Sequence, residues 1–209
     1  MPDSIPNPRS SNKSVVFNSV RCAHCVIHLY VRRKKMAHLS ESLVEEYLNR
    51  KKFLTIRGAK QGIGELDILG IRNEGLNTEG VHVEVQTSFR PVSYLSNPNA
   101  KKRNDEEVRE QMQKWIEKKF TSDSKKNLRE SIFPNLDWKF IFVCARVKDE
   151  REKEEIISAG IEIIPFEEIL HSLIQKVKKG EFTTSSGGDL VEVMRYLTEC
   201  EQCSRYNSD

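Results

Sequence analysis

Two short segments constrain this chain more than anything else in it. In Glu65-Leu66-Asp67-Ile68-Leu69 and in Val81-His82-Val83-Glu84-Val85-Gln86, polar and apolar residues alternate. Side chains of a strand point to opposite faces in turn, so this is the two-residue period of a half-buried strand. Glu65 and Asp67 share one face, opposite Leu66 and Ile68. His82, Glu84 and Gln86 share one face, with Val81, Val83 and Val85 on the other. The turn-rich stretch between them, Arg72 to Gly80, predicts a hairpin. One choice of faces sets Asp67 beside Glu84. Two carboxylates held close repel each other unless a cation neutralises them. Hard oxygen ligands of this kind suit Mg²⁺ or Mn²⁺. The same spacing also describes two ordinary strands with polar, solvent-facing sides.

The rest of the chain supplies a frame for such a hairpin. Ser40 is a candidate N-cap for a helix to about Lys52, with Leu43, Tyr47 and Leu48 on one side. Phe53 to Arg57 reads as a strand, and Gly58 to Gly64 as a glycine loop. That loop either lets the chain approach a phosphate backbone or is a plain connection. It is not a P-loop, because no Gly-Lys-Ser/Thr follows and the next element is a strand. Residues 88 to 103 read as a loop, Asp105 to Phe120 as a charged helix and 121 to 137 as a polar connection. Trp138 to Val147 is the most apolar strand and is expected at the sheet centre. Glu150 to Ala159 is a helix, Gly160 to Pro165 a short strand, and Phe166 to Lys178 a helix. A linker at 183 to 188 leads to a last helix from Asp189 to about Cys200. The order predicts an α/β fold, a mixed sheet flanked by helices.

Residues 1 to 35 are expected to be a flexible or poorly ordered extension, since the first 14 are rich in Ser, Pro and Asn. Met36 looks like a fresh domain start, with a domain over 36–180 and a linker and helix over 181–209. The net charge of +3 is too small to prove a nucleic-acid partner. Basic residues do cluster, at Arg32 to Lys35, Arg50 to Lys52 and Lys101 to Arg103, although such runs also make ordinary solvated faces. No run of apolar residues reaches membrane-spanning length, and a soluble, cytoplasmic protein with no membrane partner is expected.

The segments Gly64-Glu65-Leu66-Asp67-Ile68-Leu69 and His82-Val83-Glu84-Val85-Gln86-Thr87 resemble the PD-(D/E)XK nuclease signature. They are similar to archaeal Holliday-junction resolvases and to small bacterial nuclease-like proteins with a Gly-Glu-(Ile/Leu)-Asp strand followed by Val-Glu-Val-Lys. Those families place a helix with an early Glu before the first strand, and Glu41 stands at the matching place, with Glu45 one turn later as second choice. The resemblance implies a restriction-endonuclease-like fold. It implies Mg²⁺ or Mn²⁺ on Asp67, Glu84 and the Val85 carbonyl, with Glu41 assisting through water or on a second ion. Glu65 is then a helper or a solvent-facing acid. The implied activity is endonucleolytic hydrolysis of nucleic acid, of DNA in the first place, and the implied assembly a homodimer. One residue departs from the pattern: the family's lysine is Gln86 here. Glutamine orients water by hydrogen bonds but carries no charge. Lys60 or Arg90 are candidates to replace that charge. Lys60, Arg90, Lys101, Lys102 and Arg103 are candidate nucleic-acid contacts, as is Tyr94. Gln86 also leaves open a catalytically inactive protein on the same scaffold that binds nucleic acid or a protein partner.

Five cysteines include two Cys-x-x-Cys pairs, Cys22 with Cys25 and Cys200 with Cys203. Together they could form a four-thiolate Zn²⁺ site, which defines a third reading, a zinc-stabilised interaction module. They could equally be unrelated free thiols. Cys144, Trp115 and Trp138 read as packing residues.

Overall fold

In a computed structural model, residues 38–62, 64–75, 77–87, 103–181 and 192–196 are described. All belong to one unit, Lys35–Asp209. The expectations placed on residues 1–35 and on Arg90, Tyr94, Lys101 and Lys102 lie outside the described residues. So do Cys22, Cys25, Cys200 and Cys203, the four candidate Zn²⁺ ligands.

Helix α1 covers residues 38–50. Ser40 lies within it, buried, and does not cap it. The helix ends at Lys52, which takes a left-handed φ of 67°. Lys52 N–H then donates to Asn49 C=O at 2.9 Å and Phe53 N–H to Leu48 C=O at 3.1 Å, a Schellman closure. Three strands follow as an antiparallel meander: β1 (Leu54–Gln61), β2 (Gly64–Glu74) and β3 (Asn77–Gln86). The β2–β3 hairpin is tighter than expected. Its polar flanks pair down to Glu74 and Asn77, and Gly75 provides the positive φ of 67° that so short a turn requires. β1 also runs further than expected, through most of the glycine segment, so Gly58 and Lys60 are strand residues rather than loop residues.

Helix α2 (Asp105–Ile116) opens with a capping box, Asn104 paired reciprocally with Glu107, and continues into a π-helical turn, Glu117–Thr121. The stretch expected to be a polar connection then forms helix α3, Asp123–Ile132. β4 (Trp138–Cys144), α4 (Glu150–Ser158), β5 (Ile161–Pro165) and α5 (Phe166–Lys178) complete the unit, with helical turns again at 192–196.

The sheet order is β1-β2-β3-β4-β5, with β3–β4 and β4–β5 parallel. The α/β expectation therefore holds: a five-stranded mixed sheet between helices. β4, however, is not the middle strand; β3 is. One face carries Ile68, Val81, Val83, Ile141, Val143 and Ile164 against Leu43, Val44, Tyr47 and Leu48 of α1 and Ile169, Leu173 and Val177 of α5. On the other face Phe142 and Cys144 meet α2, the π turn and α4 through Met112, Trp115, Phe120 and Ile156. Both parallel crossovers pack on this second face, as two successive crossovers of one hand must. No described helix is long and apolar enough to cross a membrane.

Candidate metal centre

The β2–β3 ladder stops at Ile68↔Val83. Beyond it β2 pairs with β1 alone and β3 with β4 alone, so the two strands fork. Asp67 and Glu84 are the residues just past the last pair. The Asp67 carboxylate takes the place of a ladder acceptor, with Val85 N–H donating to Oδ2 at 2.8 Å. Gly58, flanked by the pairs Arg57↔Ile68 and Ala59↔Leu66, bends β1 there with a φ of 64°. The bend breaks strict alternation: Ile68 packs with α1 and α5, but Leu66 joins Leu69 and Leu128 of α3. N–H and C=O of one strand residue point to the same side. Val85 C=O therefore faces into the fork, whereas Gln86 C=O faces β4 and accepts from Ala145 N–H at 3.2 Å.

Glu84 is 1% exposed and accepts three hydrogen bonds. Lys119 Nζ donates to Oε2 at 2.7 Å, Lys125 Nζ to Oε1 at 2.6 Å, and His82 Nε2 to Oε1 at 3.1 Å. The histidine's tautomer follows from its other neighbour. Arg129 can only donate, and its NH1 lies 3.0 Å from His82 Nδ1. Nδ1 is thus the acceptor and Nε2 carries the proton. Burial pushes His82 down to about 4, so it stays neutral near pH 7. Both ring nitrogens are engaged, which removes His82 as a metal ligand. Arg129 NH1 also donates to Phe120 C=O at 2.7 Å and so holds the π turn that carries Lys119. Lys125 reaches across the fork as well, donating to Glu65 C=O.

These contacts drive the two carboxylates apart. Burial alone would raise Glu84, but the His82 hydrogen bond and the charges of Lys119 and Lys125 outweigh it and hold it down at about 2. Asp67 is pushed up to about 7, by burial first and then by the Glu84 charge, against the opposing pull of Lys119 and the Val85 N–H. Glu41 is raised by burial, and the charges of Glu65 and Glu84 add to it. Asp67, Glu84 and Glu41, the last on α1, thus feel one another's charge. Glu45 is turned elsewhere, onto Arg57 at 3.1 Å and Thr55 at 3.2 Å.

Among the described residues no ready-made group of three or more His, Cys, Asp or Glu side chains surrounds an ion position. The fork offers two carboxylates and one carbonyl, all hard oxygens, which fit Mg²⁺ or Mn²⁺ better than Zn²⁺. A second observation fits a polar occupant: Gln86 Nε2, on the face of Glu84, is buried without a hydrogen-bond partner.

Other expectations need correction. Arg103 is not a free nucleic-acid contact; its guanidinium is committed to Glu152 at 2.7 Å and Asp149 at 3.6 Å, pairing a glutamate that is fully buried. Lys60 pairs with Glu65 at 3.0 Å on exposed strand. Lys119 stands on Glu84, and Arg90 lies outside the described residues. The four cysteines of the Zn²⁺ reading, Cys22, Cys25, Cys200 and Cys203, lie outside the described residues, and Cys144 is the cysteine inside them. Cys144 is buried, with its thiol pushed up to about 11 by burial, and Trp115 is buried. Sequence reasoning missed Lys119, Lys125 and Arg129. One signal was present: Lys125, Leu128, Arg129 and Ile132 recur at helical spacing.

No family model matches the chain, and no curated protein matches it. Among solved structures it is similar to the crystal structure of a protein of unknown function, AF1548, at 14% identity over 76% of this chain and 88% of that one, with a TM-score of 0.43. So distant a likeness carries neither family nor function across.

Proposed function

We propose that this chain is a Mg²⁺- or Mn²⁺-dependent endonuclease of the PD-(D/E)XK kind, acting on nucleic acid and first of all on DNA. The observation that carries this reading is the fork, where the Asp67 carboxylate takes the Val85 N–H and the neighbouring Glu84 carboxylate takes the Lys119 ammonium. Asp67, Glu84 and the Val85 carbonyl would hold the ion. When bound, it lowers the pKa of a water and polarises a phosphoryl oxygen. The chain's own residues do the rest. Glu84 stays ionised under its three donors. Asp67 gives up its proton near neutral pH. Glu41, raised by burial, is suited to accept a proton from attacking water. Gln86 Nε2 is a donor in want of an acceptor, suited to orient that water or a phosphate oxygen. Exposed Lys118 and Lys126, next in sequence to Lys119 and Lys125, add positive charge for a phosphate backbone.

One observation favours the second reading, a non-catalytic binding protein: Glu84 already has two ammonium partners, so its charge is balanced without an ion. Incubation with plasmid, linear, single-stranded and four-way-junction DNA and with RNA, with Mg²⁺ or Mn²⁺, separates the two. An enzyme cleaves only with the ion and loses on the order of 10³-fold in Asp67→Asn or Glu84→Gln. A binder cleaves nothing and holds nucleic acid equally well, or better, in both variants.

A further inference from the structure

The two lysines on Glu84 are not equivalent. Lys125 lies on α3, its side chain is 9% exposed, and its ammonium is shared between Glu84 Oε1 and the Glu65 carbonyl. It bridges the two arms of the fork and cannot leave without breaking both contacts. Lys119 lies on the π turn, its side chain is 30% exposed, and its hydrogen bond among the described residues is to Glu84 Oε2. It occupies the Glu84 oxygen that the other donors leave clear. A π turn inserts one residue into the helical repeat and re-aims the side chains around it. Here it aims Lys119 at the carboxylate, held from behind by Arg129 on Phe120 C=O.

We propose that Lys119 is a displaceable counter-ion. In the cation-free chain it holds a divalent ion's place on Glu84; with the ion bound it turns to the substrate's phosphate and supplies the positive charge that Gln86 lacks. Lys125 stays fixed. This role rests on the metal-dependent reading above. A dication on Oε2 cannot share that oxygen with an ammonium, because like charges at contact distance repel. The partly exposed lysine has somewhere to go, toward the anionic substrate. The buried one has not.

Three measurements on the full chain test this: Mn²⁺ affinity by calorimetry, cleavage rate, and melting temperature. Lys119→Met is expected to bind Mn²⁺ about fivefold or more tightly, since its competitor is gone, yet to cleave about 10²-fold more slowly. Adding Gln86→Lys to Lys119→Met should restore most of the cleavage. Lys125→Met should lower the melting temperature more than Lys119→Met does. Unchanged or weaker Mn²⁺ binding in Lys119→Met, with the wild type binding normally, overturns the counter-ion role alone. Unchanged cleavage, or a fall that Gln86→Lys does not restore, overturns the substrate-facing role. No Mn²⁺ binding by wild type or by Lys119→Met, with Asp67→Asn indistinguishable from both, overturns the metal reading itself and this inference with it.

Discussion

The two faces of β3 use the same backbone for opposite ends. Val81 and Val83 lie among the side chains of α1 and α5, in a layer of aliphatic groups that owes its stability to area removed from water. His82 and Glu84 are as deeply buried on the other face, but each needs named partners: Arg129 for the histidine, Lys119, Lys125 and His82 for the glutamate. The apolar face tolerates any filling of the right volume. The polar face tolerates almost none, since an unpaired buried charge costs far more than a missing methyl group. α3 exists in its present form because of that second face. Its inward residues include Lys125 and Arg129, which would be misplaced over an apolar sheet.

The widest separation of the faces is in pH. Asp67, raised to about 7 from its ordinary 3.8, binds a proton in the folded chain between about pH 4 and 7 that the unfolded chain has already released. It therefore costs the cation-free protein stability as pH rises through that window, and no more above it. Glu84, held at about 2, acts in the opposite sense, and its contribution is lost as pH falls from about 4.5 towards 2. Because an ion must displace the Asp67 proton, Mn²⁺ affinity should rise about tenfold per unit up to about pH 7 and then level off. Calorimetry across pH 5.5–8.5 checks this, and a flat profile would remove Asp67 from the ligand set. Next in size is the apolar face itself: Leu173→Ala, fully buried in α5, should cost about 2–5 kcal/mol in denaturant titration and leave cation affinity of the folded fraction unchanged. Arg129→Met, on the polar face, should cost less, about 1–3 kcal/mol, for leaving His82 Nδ1 and Phe120 C=O unpaired. Unlike Leu173→Ala it should also weaken cation binding or cleavage about 10–100-fold, because it frees the His82 tautomer and the π turn. If the two variants differ only in stability, the faces are functionally alike. Lys60→Ala should be the mildest, within about 0.5 kcal/mol, since its pair with Glu65 is exposed. A several-fold loss of nucleic-acid affinity there would reinstate Lys60 as a phosphate contact.

Much of the fold was legible where one physical requirement acts on consecutive residues. The alternation in β2 and β3 and the helical spacing of α5 each announce their element. The hairpin follows in the same way from two strands of known period meeting at a turn, although the structure ends its ladder one residue short of Asp67 and Glu84. α3 was hidden for the reason that makes it matter. Its helical stripe of Lys125, Leu128, Arg129 and Ile132 is half charged, and charged residues at core positions look like solvated surface until their partners are known. The glycine segment misled similarly, because a glycine that bends a strand and one that opens a loop look identical in sequence.

By itself the sequence determined the α/β class, the hairpin, its carboxylates and the absence of lysine at position 86, because those depend on local period and residue type. Only the tertiary structure decided which cations meet Glu84. Lys119 and Lys125 lie 35 and 41 residues beyond Glu84, and nothing local links them to it. They meet it because a parallel crossover must return over one face of the sheet, and the helices of that crossover close over the fork.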